Sequence, residues 1–229
     1  MRYLTWNVHG SVDRNGNGNG GNWGALWPEL SAAVTTHDPD AIGLQELCAK
    51  QYNKFRTELA KLGYKAIMGV ARNSGGCGTD QGFGNALFFK TSLLMASTYE
   101  LSWGANPVGS TGREPRVLII GKVPYLRSNV VYAVTHLSPH DPDKATQMGE
   151  CLAAIAANQG STPSRVVFMG DFNMSATALS GYLPGWNIES NTIDHVASNL
   201  PLGVKIIIPS VASDHDILVA GMDGIDPSP

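Results

Sequence analysis

The chain reads as an α/β or α+β domain on three observations. Short apolar runs end abruptly in polar residues, stretches of helical period separate them, and chemically capable side chains gather where the apolar runs stop. A helix bundle would keep one period throughout. In chain order, the run Arg2 to Val8 predicts a first strand, and Trp23 to Thr36 a first helix. A second strand is expected over Ala41 to Gln45, then a helix over Gln51 to Leu62. There Tyr52, Phe55, Leu59 and Leu62 recur at three- and four-residue steps and form one apolar stripe. Strands follow at Asn85 to Phe89, Val117 to Val123 and Val130 to Thr135. The helix Lys144 to Asn158 comes next, with Met148, Leu152 and Ile155 on one face, and strands at Val166 to Met169 and Ile217 to Ala220 close the series.

With 229 residues, 43% hydrophobic and 15% charged, the chain can bury a large core and fits one domain, expected over residues 1–222 with a flexible tail at 223–229. No apolar stretch approaches the roughly 20 residues that span a bilayer. A formal charge of −3 argues against a DNA-packaging role. It leaves room for an enzyme that must release a polyanion after each turnover.

Three cysteines, Cys48, Cys77 and Cys151, are too few and too scattered for a zinc site of paired spacing. Cys48 follows Gln45-Glu46, and Cys77 lies in the Gly-rich segment 74–78. A disulfide between them would pin that loop to the strand, with unbridged thiols as the alternative. Cys151, on a helical apolar face, should pack as a small hydrophobe. The alternating Asn and Gly of 15–22 read as a flexible loop. Asp13-x-Asn15-x-Asn17-Gly18 also matches the first half of a calcium loop, but Gly24 stands where a structural Ca²⁺ site needs its bidentate Glu, so the plain loop is favoured.

The chemistry is carried by Thr5-Trp6-Asn7, Leu44-Gln45-Glu46, Thr135-His136-Leu137, Gly170-Asp171-Phe172-Asn173, Thr192-Ile193-Asp194 and Ser213-Asp214-His215. Asn7, Glu46, His136 and Asp171 each stand at the exit of an apolar run, where polar groups can converge without being buried in apolar surroundings. Hard divalent cations prefer oxygen ligands, and Glu46, Asn7 and Asp214 fit that need. Asp171 can orient or deprotonate a water, while Asn173, His136 and His215 can donate to phosphoryl oxygens, with Asp194 as a natural partner for a histidine. Arg113, in Arg113-Glu114-Pro115-Arg116, can grip a phosphate with its fork of donors, and Arg116 has the weaker claim. His9 and His140 follow motif residues and can line a cleft. His37 reads as a helix-end residue, and His195, beside Asp194 in a strand-like run, should point away.

Taken together, these motifs resemble the series of the endonuclease/exonuclease/phosphatase superfamily, the deoxyribonuclease I-like proteins, from Thr5 to Leu218. The resemblance implies a four-layer α/β/β/α sandwich of two mixed β-sheets flanked by helices, with a Mg²⁺- or Mn²⁺-dependent site at the sheet ends. It implies Glu46 as metal ligand with Asn7 and Asp214 nearby, and Asp171 and Asn173 positioning phosphate and water. His136 and His215 would be the acid and base pair or transition-state stabilisers, Asp194 would orient His215, and Arg113 would contact substrate. Deoxyribonuclease I sets a glutamate against the histidine matching His136. The corresponding stretch here, 81–86, has no acid, so His136 is expected to lean on Asn85 or a backbone carbonyl, with Asn85 also counted among substrate contacts.

The expectation is therefore a metal-dependent phosphodiester hydrolase, an endonuclease cleaving DNA with little sequence preference, monomeric and without a membrane span. A phosphatase or phospholipid phosphodiesterase of the same superfamily is the alternative, with Trp103 or Tyr182 to Trp186 as its apolar contact. The Cys48 and Cys77 pair with a leaderless start implies a secreted protein whose signal was removed, and a cytoplasmic enzyme is the other reading.

Overall fold

A computed structural model describes residues 1–10, 23–72, 77, 82–102, 115–125, 128–160 and 164–222. Its apolar runs pair into two sheets, each built around a parallel couple. β1 (Arg2–Asn7) lies beside β2 (Ala41–Cys48), and β7 (Ser128–His136) beside β8 (Arg165–Asp171). A parallel neighbour cannot be reached through a tight hairpin, so a helix joins each couple: α1 (Trp23–His37) in the first and α3 (Asp141–Gln159) in the second.

Among the described residues all other pairings are antiparallel. β3 (Lys65–Arg72), β4 (Phe83–Phe89), β11 (Val204–Ile208) and β12 (Ile217–Gly221) complete a sheet of order β11-β12-β1-β2-β4-β3. β5 (Met95–Leu101), β6 (Arg116–Tyr125), β9 (Asn187–Asn191) and β10 (Asp194–Ser198) complete the other, of order β5-β6-β7-β8-β10-β9. Across its width each sheet has the same succession of pairings, two antiparallel, one parallel, two antiparallel. The architecture thus repeats without a visible repeat of sequence.

Tyr3, Leu87, Ile119, Val134, Met169 and Leu218 fill the space between the sheets. α1 and α2 (Ala49–Ala60) cover the outer face of the first sheet through Leu26, Leu30, Phe55 and Leu59. α3 and α4 (Ala176–Tyr182) cover the second through Met148, Ile155 and Leu179. The result is the four-layer α/β/β/α sandwich. Among the described residues no helix is long and apolar enough to cross a membrane.

Burial on both faces explains which strands the sequence reveals. β1, β4, β7 and β8 are covered front and back, so they are written as near-continuous apolar runs. β3, β5, β9 and β11 are half-buried or alternate along their length and were not expected as strands, while β10, expected only as a strand-like run around His195, carries Asp and His. The second helix begins earlier than the apolar stripe suggested, at Ala49, and ends at Ala60. Leu62 therefore falls in the following turn, 47% exposed, rather than on the buried face with Tyr52, Phe55 and Leu59.

Cys48 and Cys77 are bridged, with Cα atoms 5.5 Å apart, and pack with Phe83 in a small separate cluster. Cys151 is a buried free thiol whose pKa burial pushes up to about 12. The rest of the Gly-rich loop, the calcium-like segment, Trp103, Arg113 and the tail lie outside the described residues.

Two outcomes follow. Thiol titration of the unreduced protein should count no reactive cysteine when folded and one when denatured, whereas three after denaturation would refute the bridge. Replacing Cys48 and Cys77 together by Ala should lower unfolding free energy by roughly 2–4 kcal/mol, read from the denaturant midpoint, because the bridge closes a loop of sequence separation 29.

Candidate active site

The parallel couples deliver their C-terminal ends to one place. Asn7 ends β1, His136 ends β7 and Asp171 ends β8, with His136 directly opposite Asp171 in the register. Contact between sheets is made here by Asn7, whose Nδ2 donates to Glu46 Oε1 at 3.0 Å and to Asp171 Oδ2 at 3.1 Å.

Local backbone devices aim these side chains. Glu46 sits where β2 slips register between Leu44 and Leu47, with φ +59°, a left-handed conformation that costs a β-unbranched residue about 1–3 kcal/mol. The bulge turns Glu46 out of the strand alternation, and its carbonyl accepts from Gly10 N. On β8, a Cβ at Gly170 would stand 2.0 Å from the Thr135 carbonyl oxygen, and φ is +149°, so only glycine lets the strands close before Asp171. Asn173 also has positive φ, +51°. Its N–H donates to Asp171 Oδ1 at 2.9 Å and its Nδ2 to the Leu137 carbonyl at 2.8 Å, which leaves one amide hydrogen over.

Asp171 Oδ2 is the centre of the arrangement. Besides Asn7, His136 Nε2 faces it at 3.5 Å and His215 Nε2 at 3.8 Å. The histidines are held from opposite chemistry. Arg116 Nη1 lies 2.8 Å from His136 Nδ1, and a guanidinium can only donate, so His136 accepts at Nδ1 and carries its proton on Nε2. His215 Nδ1 lies 2.7 Å from Asp194 Oδ2 and donates to it.

Their protonation follows. Burial, then the charges of Arg116 and His215, hold His136 well below its ordinary pKa, so it stays neutral. Burial also opposes charge on His215, yet the hydrogen bond and charge of Asp194, with Asp171 and Asp214 behind, overrule it and raise His215 to about 9. Asp194 is itself raised by burial and drawn back by His215, and the shared proton belongs to His215. Burial and the charge of Asp194 lift Asp171 to about 6, against the pull of His215, Asn173 and Asn7.

The other expected residues fall into place or out of it. Asn85 is not the partner of His136: it is buried on β4 with its Nδ2 donating to the Val117 carbonyl, and Arg116 fills the place expected for it. Arg116, expected to have a weaker claim than Arg113, is the arginine that meets His136. β6 runs antiparallel to β7, so its first residue, not its last, arrives beside His136. Asp194 opens β10 opposite Asp171 for the same reason. His9 Nδ1 lies 3.0 Å from Asp214 Oδ1, placing that pair at the rim, while exposed His140 precedes α3. His195 points away, bonded to Ser190 Oγ and the Met174 carbonyl.

Asp171, Asp194 and His215 offer atoms within 4.8 Å of one another, the spacing of a metal set. His215 Nδ1 is engaged by Asp194 at 2.7 Å, however, while its Nε2 stands 3.8 Å from Asp171 Oδ2, so the imidazole is a partner held between two carboxylates more than an open metal ligand. The oxygens of Glu46 and Asp171, both gathered on one Asn7 amide with no thiolate nearby, suit a hard divalent cation better. Of the expected ligands Glu46 and Asn7 touch; Asp214 is half-exposed and pairs with His9 instead.

Comparison with known proteins gives the fold and the family. No curated sequence matches the chain. The fold is shared with a mannosyl-6-phosphatase from Bacteroides thetaiotaomicron (TM-score 0.73, 16% identity, 96% of this chain and 98% of that one covered). The human Nocturnin catalytic domain with bound sulfate is similar (0.72, 17%, 96% and 93%), as is ANGEL2, a 2′,3′-cyclic phosphatase (0.71, 16%, 96% and 94%). The profile of the Endonuclease/Exonuclease/phosphatase family matches residues 4–215, a span that takes in Asn7, Glu46, His136, Asp171, Asp194 and His215, and the chain therefore belongs to that family of phosphoesterases.

Proposed function

We propose that the protein is a phosphodiester hydrolase that uses Mg²⁺ or Mn²⁺ and nicks DNA with little sequence preference. The observation that carries phosphoester hydrolysis is the convergence on Asp171 Oδ2 of Asn7, neutral His136 and charged His215. DNA is favoured by Arg113-Glu114-Pro115, a sequence like that of deoxyribonuclease I. The bridge between Cys48 and Cys77 supports an oxidising, secreted setting.

In this reading Asp171 orients the attacking water and takes its proton as the new O–P bond forms in line with the leaving oxygen. His136 Nε2–H and the remaining Asn173 amide hydrogen donate to the phosphoryl oxygens, where charge builds. His215 Nε2–H gives its proton to the leaving oxygen as the old O–P bond breaks, leaving a 5′-phosphate. Asp194 holds the imidazolium that makes this possible. Glu46 and Asn7 would hold the cation, with Asp214 at the rim. When bound, the cation neutralises phosphoryl charge.

A phosphomonoesterase is the second reading, favoured by one departure: the acid that deoxyribonuclease I sets against this histidine is replaced here by Arg116. The substrates can be separated directly. Supercoiled plasmid should become nicked circles with Mg²⁺, and neither with EDTA nor with His215→Ala. A folded wild type inert on plasmid but active on phosphomonoesters or phospholipids would replace DNA as substrate. Asp171→Ala and His136→Ala should each lower kcat by about 10²–10⁴-fold with unchanged circular dichroism. Wild-type turnover in either would dismantle the site. Nitrogen-15 spectra should show His136 as the Nε2–H tautomer, and Arg116→Met should remove that preference; a charged His136 at neutral pH would contradict the Arg116 pairing.

A further inference from the structure

Asp214 and His215 are not carried on a strand. They lie in residues 209–216, the loop between Ile208 and Ile217, which face each other across β11 and β12. A loop of this length has no ladder of its own, and side chains on it lose orientation unless something outside holds the backbone. Here the outside group is on α1. Glu29 Oε1 accepts from Val211 N at 3.0 Å and Ala212 N at 3.1 Å, and Glu29 Oε2 accepts from Ser210 Oγ at 2.6 Å.

The bonds continue towards the site. Ser210 Oγ accepts from Ala212 N at 3.2 Å and Ser213 N at 2.9 Å, and Ser210 N donates to Asp216 Oδ1 at 3.1 Å. Ser213 Oγ donates to the Asn7 carbonyl at 2.7 Å and accepts from His215 N at 3.2 Å, while Trp6 Nε1 donates to the His215 carbonyl at 2.9 Å. α1 is itself fixed to the first sheet by Leu26, Leu30, Ala33 and Val34. A rigid helix thus reaches His215 through a continuous series of charge-assisted and backbone hydrogen bonds.

We propose that Glu29 is a positioning residue of the site: its carboxylate gathers the Ser210 hydroxyl and the amides of Val211 and Ala212 and so sets the place of His215 against Asp194 and Asp171. The proposal rests on the reading of His215 as the proton donor. Glu29 touches no reacting atom and acts only through the loop. Two effects should then appear together, in turnover and in the hydrogen bond between His215 and Asp194.

The experiment compares Glu29→Ala and Glu29→Gln with wild type by steady-state kinetics on plasmid or a phosphodiester ester, and by the low-field proton resonance of His215 Nδ1–H, identified by its absence in His215→Ala. Glu29→Ala should lower kcat about 10- to 100-fold with KM within about threefold, since a small misplacement of a catalytic group costs on this order. Its low-field signal should broaden or vanish. Glu29→Gln, which keeps an acceptor for the two amides, should recover most of both. Normal kcat or an unchanged resonance in folded Glu29→Ala would overturn the proposal, because a purely structural role shifts only the melting midpoint. If Glu29→Ala fails to fold, Ser210→Ala, which removes the hydroxyl linking Glu29 to the 212 and 213 amides, carries the same expectations. An inert wild type would remove the hydrolase reading, and the resonance would still decide on Glu29.

Discussion

At the candidate site a side-chain amide bridges the two sheets. Asn7 ends a strand of the first sheet, yet its Nδ2 reaches both Glu46 of that sheet and Asp171 of the second. Two carboxylates would otherwise repel across this gap, and the amide hydrogens between them allow the approach. Everything else at the site is placed relative to that bridge. Glu46 is turned to it by a bulge, Asp171 is brought to it through a glycine no other residue could replace, and the loop of Ser213 is fastened to the Asn7 carbonyl.

Around the bridge the protein sets two histidines in opposite states. Burial, with a guanidinium beside it, keeps one neutral and a donor; a buried carboxylate on the other keeps it charged. The difference comes from neighbours that arrive on antiparallel strands, Arg116 at the start of β6 and Asp194 at the start of β10. In the proposed function such a division would supply a donor for developing charge and a separate proton source within reach of one carboxylate.

The strands that the sequence revealed are those buried on two faces, since only they are compelled to be apolar throughout. Asn7, Glu46, His136 and Asp171 were legible because each interrupts such a run at its exit, where a polar residue is out of place unless it has a use. Arg116 was harder to see, standing before an apolar run instead of after it, and His9 carried only its closeness to Asn7. Glu29 looks like any polar residue of a surface helix until the loop at 210–212 is folded against it.

By itself, then, the sequence determined the class of fold and named most of the groups that the fold brings together at the candidate site, because burial dictates apolar runs and chemistry dictates residue type. Tertiary structure decided the partners. That Arg116 and not Asn85 meets His136, that Asp214 turns to His9, and that α1 steadies His215 all depend on strand direction and on contacts between residues far apart in the chain. Pattern along a chain records what each residue must avoid or provide, and carries no measure of which distant residue will stand beside it.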